Sequence, residues 1–403
     1  MQKVTIADVN SYDLGTIKDS LKKMFLDLGY PEKNPLGEII EPGNTVFIKP
    51  NWVASRWRAS CDHVDDLYSV ITHPSLLEAL ADFVAEALGD EGKIIIADNP
   101  SIDADFNELM DYTQIKERLH GKYGCELEIK DLRPLVCDDL KNYGKKYLMV
   151  SQGGDDQGTI EVNLGKDSLL YGLDPQRFRG VFDERDETIA SHTGETQLYT
   201  FARSLYDADV YISVPKLKTH QKVGVTLNLK GLVGAITNKN QLVHWQIGYP
   251  EIHGDEYPNK EAYDASKKAK VTHRGSWPGN DTIWRMVVDL YKGFKMKEKK
   301  YFTVVDGVCG GQGQGPFCPY SKNSNTLIAG EDLFAVDCVA TRYMGINPEK
   351  IKYLNYFLSI GYDGITLDNI DVILNGNKIN DFFNSDSKYL DFNVVDQWKE
   401  IKI

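Results

Sequence analysis

The sequence predicts an α/β protein with a mostly parallel sheet and flanking helices. Two observations support this fold class: short apolar, β-branched segments typical of buried strands, and amphipathic helical segments between them. Strands that alternate with helices usually form a parallel sheet covered by helices. The predicted strands are "TVFIKPN" (45–51), "KIIIADNP" (93–100), "DVYISVPKLK" (209–218), "YFTVVDGV" (301–308) and "NTLIAGED" (325–332).

Four segments predict the helices. "HPSLLEALADFVAEALGDEG" (73–92) has Pro74 at its start and Gly89 near its end, the positions that these residues favour. "DTIWRMVVDLYKGF" (281–294) offers Asp281 or Thr282 as the N-cap. The other two predicted helices are "GETQLYTFARSLYDA" (194–208) and "EDLFAVDCVATRYMG" (331–345).

The pattern along the chain predicts two α/β lobes with a cleft between them. The N-terminal lobe is expected over 1–119 and the C-terminal lobe over 196–403, with an irregular or β-rich insertion at 120–195 between them. Residues 240–280 interleave aromatic residues with Gly and Pro, which predicts a binding loop or lid within the C-terminal lobe.

The composition restricts the class of protein. A net charge of -13 argues against a nucleic-acid surface or an anionic membrane as the partner. No apolar run approaches the roughly 20 residues of a membrane span, and "MQKVTIADVN" lacks the features of a signal peptide, so a cytoplasmic protein is expected. The six cysteines are scattered, without an iron–sulfur or zinc motif, and most are expected to be reduced core residues.

The stretch "VPKLKTHQKVGVTLNLKGLVGA" (214–235) concentrates cations in this acidic chain. Pro215 is expected to stop the preceding strand, which would put Lys216 to His220 in a loop at the ligand-binding edge of the sheet. Lys216, Lys218 and His220 share one side of an extended chain. A solvated charge run is the usual alternative, but the flanking segments are apolar, which favours an anion site for phosphate or carboxylate.

Other polar residues at strand ends extend this predicted site. Asp98 and Asp306 could bind a metal, orient a lysine or act as a general base, with helix capping or a structural ion pair as the alternative. The segment "DGVCGGQGQGP" (306–316) predicts a glycine-rich loop whose N–H groups could bind an anion. His244, beside Trp245, is expected in the lid. Lys230 either reaches the site or caps a helix.

The segments "VFIKPNW", "ADVYISVPKLKTHQKVGVTLNLKGLVG", "VVDGVCGGQGQGP" and "LIAGEDLFAVDCVATRYMGI" resemble the domain of unknown function 362 family. The resemblance covers about residues 1–360. Some members carry a ferredoxin-type cysteine cluster, which has no counterpart in this sequence. The family is also remotely similar to the lactate racemase group, whose interlobe cleft holds a nickel cofactor and whose histidines move protons; this second resemblance implies proton transfer as one possible chemistry.

Two functions follow as hypotheses: an enzyme that acts on a small anionic substrate, or a non-catalytic anion- or cofactor-binding protein that serves a redox or glycan-assembly system. A divalent metal is compatible with the carboxylates, and the sequence identifies neither another cofactor nor an oligomeric state. The residues predicted to be catalytic are Lys216, Lys218, His220 and Asp306. Those predicted to bind the substrate are Lys49, Asn51, Asp98, Asn99, Thr219, Lys230, His244, Gly311, Gly313 and Gly315.

Overall fold

The structure is a computed structural model that describes residues 2–56, 61, 66–269, 274–387 and 389–403. Its strands are β1 (Gln2–Asp8), β2 (Thr45–Pro50), β3 (Lys93–Asp98), β4 (Glu126–Asp131), β5 (Leu135–Val136), β6 (Val150–Ser151), β7 (Thr159–Asn163), β8 (Phe178–Arg179), β9 (Leu198–Ala202), β10 (Val210–Val214), β11 (Lys216–His220), β12 (Gly224–Val225), β13 (Trp245–Gln246), β14 (Lys300–Gln314), β15 (Cys318–Gly330), β16 (Ile370–Leu374) and β17 (Asn377–Ile379).

The α-helices lie between these strands and after them. They are α1 (Leu14–Leu28), α2 (Pro74–Leu88), α3 (Phe106–Thr113), α4 (Ile115–Leu119), α5 (Asp186–Ser191), α6 (Arg203–Tyr206), α7 (Leu227–Gly231), α8 (Lys260–Ala269), α9 (Ile283–Lys295), α10 (Leu333–Tyr343) and α11 (Lys352–Ser359). None of the helices in the described part of the chain combines the length and the apolar character needed to cross a membrane.

One mixed, mostly parallel sheet of 11 strands organises the fold, which confirms the predicted class. Its order is β17-β16-β1-β15-β14-β10-β2-β3-β4, with β11 paired to β14 and to β12. The parallel neighbours β14, β10, β2, β3 and β4 form the half in which strands end at the same edge. The sheet draws strands from both predicted lobes; the two-lobe division and its cleft stay predictions.

Alternate residues of the strands face two separate cores. Val46 and Ile48 of β2 pack on the side covered by α1 and α2, whereas Phe47 packs on the opposite side with α9, α10 and α11. This alternation follows from the two-residue repeat of a strand. Helix α2 begins where the side chain of His73 accepts the N–H of Ser75, and it ends at Gly89, whose N–H donates to the carbonyl of Ala85.

The helix predicted over 194–208 is wrong for most of its length. Residues Leu198–Ala202 form β9, which pairs antiparallel with β7, and only Arg203–Tyr206 are helical. The reason is the burial of Tyr199 and Phe201, which alternate with less buried residues in the two-residue period of a strand. Aromatic and Thr side chains in this segment also favour strands.

Two predicted loops are strands. After Pro215 the chain resumes pairing at once, so Lys216–His220 form β11, with Lys216 opposite Asp306 and Lys218 opposite Gly311. The predicted glycine-rich loop belongs to β14, which continues to Gln314 and forms a long hairpin with β15. Backbone N–H and C=O groups that the sequence predicts to be exposed in loops therefore form hydrogen bonds with a neighbouring strand.

The prediction that most cysteines are reduced is confirmed, since four of the six are free thiols, but Cys61 and Cys318 form a disulfide across 257 residues of sequence. Cys125, Cys137, Cys309 and Cys338 are free thiols. The paired residues lie too far apart in sequence for their spacing to have indicated a bond.

Candidate functional site

The side chains of Lys216 and Asp306 form a fully buried ion pair at the centre of the sheet. Their charged atoms lie 3.0 Å apart, and both side chains are 0% exposed. The hydroxyl of Tyr12 donates to the Asp306 carboxylate at 2.7 Å and accepts from Lys216 Nζ at 3.0 Å. The backbone N–H of His73 donates to the other carboxylate oxygen at 2.9 Å. These contacts join β11, β14 and the segment before α2; the predicted catalytic role of the pair stays a prediction.

A second buried ion pair joins the ends of β2 and β3. Lys49 Nζ lies 2.7 Å from Asp98 Oδ1, and both side chains are 5% exposed. The backbone N–H of Trp52 donates to Asp98 Oδ2 at 2.7 Å, and that of Asn99 donates to Oδ1 at 2.8 Å. Both oxygens of the Asp98 carboxylate therefore accept hydrogen bonds, and the positive charge of Lys49 balances its negative charge.

Lys218 and Asn51 meet at one backbone carbonyl. Lys218 Nζ donates to the carbonyl of Val70 at 2.8 Å, and Asn51 Nδ2 donates to the same oxygen at 2.6 Å. Lys218 also donates to the carbonyl of Pro316 at 3.3 Å. Burial and the charges of Lys216 and Lys230 hold the pKa of Lys218 well below its usual range.

Lys49 and Lys218 belong to a group of mutually repelling lysines, here called the lysine cluster: Lys49, Lys218, Lys230 and Lys239, which are buried, and Lys222, which is half-buried. Within the described chain, no carboxylate forms an ion pair with any of these lysines except Asp98 with Lys49. Lys222 donates to the carbonyl of Arg274 and lies over the ring of Trp245. Lys239 donates to the carbonyl of Asn99 at 3.2 Å.

Lys230 is a buried residue. Among the described residues, its ammonium group has no hydrogen-bond partner, in contrast to the other members of the lysine cluster. It lies in the short helix α7, and its charge acts on Lys218, Lys222, Lys239, His220 and His244. Lys230 also lies in the last turn of α7, so both interpretations that the sequence left open stay predictions.

Burial lowers the pKa values of Lys222, Lys230 and Lys239, and neighbouring cations lower each of them further. The pKa is about 8 for Lys230, where Lys49 adds to the effect of burial. It is about 7 for Lys222, beside Arg274, and about 7 for Lys239, where Asp98 opposes part of the effect of burial. An anion placed among these groups would be attracted by all of them and would restore their charged forms.

The two predicted histidines carry their ring proton on different nitrogen atoms. His220 Nδ1 accepts the N–H of Lys222 at 3.0 Å, so the neutral ring carries its proton on Nε2. His244 Nδ1 lies 2.8 Å from the carbonyl of Leu242, so it carries the proton and leaves Nε2 as an acceptor. Burial and the charge of Lys230 lower the pKa of His220 and bring that of His244 to about 3, which keeps both rings neutral.

The predicted glycines and Thr219 are in close contact with the backbone of neighbouring segments, and Gly311 lies opposite Lys218 of the lysine cluster. Thr219 Oγ1 donates to the carbonyl of Gly313 at 3.1 Å. A Cβ on Gly315 would lie 1.9 Å from the carbonyl of Thr219, and one on Gly311 would lie 2.4 Å from the carbonyl of Ser69. At Gly311 and Gly315 the missing side chain therefore allows close backbone packing; anion binding by these glycines stays a prediction.

Two site residues were missed from the sequence. Lys239 lies in a short polar run, residues 237–241, so its local sequence gives no signal of its burial. Tyr12 follows β1 in an exposed-looking polar segment, and nothing local indicates its contact with Asp306 294 residues away. In the described residues, no group of three or more His, Cys, Asp or Glu side chains is placed to hold a metal ion.

The lysine pKa values predict a specific pH dependence of stability. Lys239 has a folded pKa of about 7, below its value of about 10.4 in an unfolded chain, so the unfolded state binds more protons between these values. The free energy of unfolding of the wild type, minus that of Lys239→Met, should therefore rise by at least about 1 kcal/mol from pH 7 to pH 10. The subtraction cancels the other titrating groups.

Urea unfolding at four pH values in phosphate-free buffer measures this difference. Lys166→Met is the matched control, because the Lys166 side chain is 66% exposed, and its difference from wild type should stay flat. A flat or falling difference for Lys239→Met would show that Lys239 is fully charged in the folded protein.

Comparison with known proteins identifies relatives but assigns no reaction. Residues 133–342 match the family described as "Domain of unknown function (DUF362)". This match includes β10, β11, α7 and most of the lysine cluster. The chain is also similar to a thylakoid-associated protein of Synechocystis sp., with 23% identity over 354 residues that cover 87% of this chain and 77% of the relative. The family match covers more than half of the residues of the chain, including the segment that carries most of the lysine cluster. The chain therefore belongs to the DUF362 family.

Proposed function

We propose that the protein is an enzyme that binds a small phosphorylated or carboxylated substrate in the lysine cluster and transfers a proton to or from it. The observation that carries the proposal is Lys230: the residue is 8% exposed, its ammonium group has no hydrogen-bond partner among the described residues, and its charge lowers the pKa values of Lys218, Lys222 and Lys239. A buried charge without a partner costs folding free energy, and such a charge is retained where a bound ligand of opposite charge balances it.

The substrate class follows from the donors. Lysine ammonium groups are compact point charges that bind phosphate or carboxylate oxygens well. Lys49 is neutralised by Asp98, whereas Lys218, Lys222 and Lys239 donate only to carbonyl groups among the described residues. Together with Lys230, these lysines without a carboxylate partner supply more positive charge than a single carboxylate can match, which favours a phosphate or a substrate with two anionic groups.

Proton transfer is supported by the two neutral imidazoles. His244 offers an unprotonated Nε2 that can accept a proton as a general base, and His220 offers an Nε2–H that can donate a hydrogen bond to a substrate oxygen on which negative charge develops. Neighbouring groups with complementary protonation are a usual acid–base arrangement. Bound substrate anion would raise both pKa values from their depressed levels towards the working range.

Two measurements test the proposed function. Isothermal titration with inorganic phosphate, pyrophosphate and lactate should detect binding to the wild type, and NMR should detect deuterium uptake from D₂O at the C–H next to the carboxylate or carbonyl in a panel containing lactate, 3-phosphoglycerate and glyceraldehyde 3-phosphate. His244→Gln and His220→Gln should abolish uptake and change affinity by less than about threefold, since glutamine keeps a polar side chain but does not transfer protons at neutral pH.

The outcomes separate three cases. Binding without uptake for every compound in the panel would favour the non-catalytic anion-binding protein over the enzyme. Absence of binding for all three anions would reject both. We place this activity in the cytoplasm because the net charge of -13 disfavours an anionic membrane surface; recovery of the protein with the membrane fraction, as the name of the Synechocystis relative would suggest, would contradict that location.

A further inference from the structure

Strand β4 forms one edge of the main sheet. It is the last strand in the sheet order, and it pairs with β3 alone among the described strands. It presents six residues, none of them buried, whereas β17 at the opposite edge has only three. The backbone groups along such an edge can form hydrogen bonds with another chain. Its length and exposure make β4 the edge at which a further strand can be added.

The hydrogen bonds to β3 determine which backbone groups of β4 point outward. The N–H of Glu126 donates to the carbonyl of Gly92 at 3.1 Å, and that of Leu132 donates to the carbonyl of Asp98 at 3.0 Å. Alternate residues of a strand direct both backbone groups to the same neighbour, so the even-numbered residues of β4 face β3. The residues whose N–H and C=O groups point away from the sheet are Leu127, Ile129 and Asp131.

Open space lies beside this edge, on the face that carries the side chains of Leu127 and Ile129. These two side chains and Leu119 line a hollow of about 440 Å³. Its wall contains no Asp or Glu, and its basic side chains are those of Lys116, His120 and Lys122. A second chain can therefore approach the edge on this face, and the basic wall reduces the local repulsion between two chains that each carry a net charge of -13.

We propose that two copies of the chain pair through β4, antiparallel about a two-fold axis at Ile129, so that their sheets join into one. The outward-pointing residues then meet in hydrogen-bonded pairs. Ile129 lies opposite Ile129 of the partner subunit, and Leu127 lies opposite Asp131 of the partner subunit. The contact is isologous, because each subunit offers the same strand, and it closes at two subunits.

The charges of β4 select this register. Glu128 and Lys130 lie two residues apart on one face of the strand, so pairing about Ile129 places each Glu128 opposite Lys130 of the partner subunit. Opposite charges that face each other across two strands stabilise the pair, and like charges destabilise it. A register centred on Glu128 would place the two Glu128 side chains opposite each other, and one centred on Leu127 would place Glu126 opposite Glu128 of the partner subunit.

The side chains that select the register are already ordered within each chain. Glu128 lies 2.7 Å from Lys93 and also contacts Lys130, which lies 2.6 Å from Asp156. The side chains of Glu128 and Lys130 are 24% and 13% exposed. Because they are held in this network, they lose little conformational freedom when the charges of the partner subunit are added.

The self-association of charge-swapped variants tests this inference, which is independent of the proposed function. In sedimentation velocity, the wild type should change from monomer to dimer between about 1 and 200 µM, as expected for a small interface. Glu128→Lys and Lys130→Glu should each weaken the dimer at least about tenfold, since each replaces two attractive contacts by repulsive ones. The double variant Glu128→Lys/Lys130→Glu restores the complementarity and should return the Kd to within about threefold of the wild type. Glu195→Lys is the matched control, because it makes the same charge change at a side chain that is 69% exposed, and it should leave the Kd unchanged.

A further variant acts on the backbone and leaves the charges unchanged. Ile129→Pro removes an outward N–H at the two-fold axis and keeps every N–H that donates to β3. It should still unfold cooperatively in urea, and it should stay monomeric. In the wild type, hydrogen exchange of the three outward-pointing amides should slow as the concentration rises, whereas the amides that face β3 should be protected throughout.

Two results would overturn the inference. One is a wild type that stays monomeric at about 200 µM. The other is a dimer that persists in the charge variants and in Ile129→Pro, without concentration-dependent protection of the outward-pointing amides, because its interface then lies elsewhere.

Discussion

Asp306→Asn should lower the free energy of unfolding by about 3–5 kcal/mol, because it leaves the ammonium of Lys216 charged and unpaired in the interior. The pair is 0% exposed on both sides, so solvent cannot replace the lost carboxylate. Asparagine retains the size of the side chain, and the hydrogen bonds from Tyr12 and His73 can still be accepted in part. The expected loss is therefore mainly electrostatic. Urea unfolding at pH 7 measures it.

The matched control is an ion pair of similar length on the surface. Lys166 and Glu195 lie 2.9 Å apart, with side chains 66% and 69% exposed, and Glu195→Gln should change stability by no more than about 0.5 kcal/mol. The double variant Lys216→Met/Asp306→Leu should recover part of the loss, since it removes both charges together. A loss below about 1 kcal/mol for Asp306→Asn would mean that Lys216 is already neutral in the folded protein.

Lys230→Met should weaken the binding of inorganic phosphate by at least about 30-fold while it stabilises the unliganded protein at pH 7 by about 1–3 kcal/mol. The two effects have the same origin. Without an anion, the ammonium of Lys230 is buried beside other cations, which lowers its pKa to about 8 and costs folding free energy. With an anion bound, the same charge is matched.

The opposite signs make this variant diagnostic. A purely structural lysine would lose stability on truncation, and a surface lysine such as Lys166 would change neither quantity. Isothermal titration gives the affinity, and urea unfolding in phosphate-free buffer gives the stability. Unchanged phosphate affinity together with reduced stability would contradict a ligand-binding role for Lys230.

The sequence predicted the layered α/β fold because its central strands are buried on both faces and are therefore apolar along their whole length. Strands β2, β3 and β10 and helices α2, α9 and α10 lie where that pattern indicated. Strand β9 was missed because it packs through alternate aromatic residues within a segment that also satisfies a helical pattern. Strand β11 was missed because charged residues are normally solvated, and the carboxylate that accepts Lys216 comes from β14, 90 residues later.

The sequence indicated most residues of the candidate site, but it did not indicate which of them form ion pairs with one another. Lys49, Asp98, Lys218, His220, Lys230 and His244 do belong to one electrostatically coupled group. The sequence could not show that Asp98 pairs with Lys49 and Asp306 with Lys216, while Lys218 and Lys230 have no carboxylate partner among the described residues. The protonation of the two histidines likewise depends on single backbone contacts, to Lys222 and Leu242, that no pattern of residue types encodes.

The absence of a side chain at Gly311 affects the position of Val70, which lies on another segment of the chain. Because it lacks a Cβ, the carbonyl of Ser69 can approach the β14 backbone, and the next residue, Val70, is brought to where its oxygen holds both Lys218 and Asn51. The absence of one carbon atom in a strand thus helps to fix the position of the Lys218 charge. In the proposed site, a residue that does not touch the ligand would therefore influence how the ligand is held.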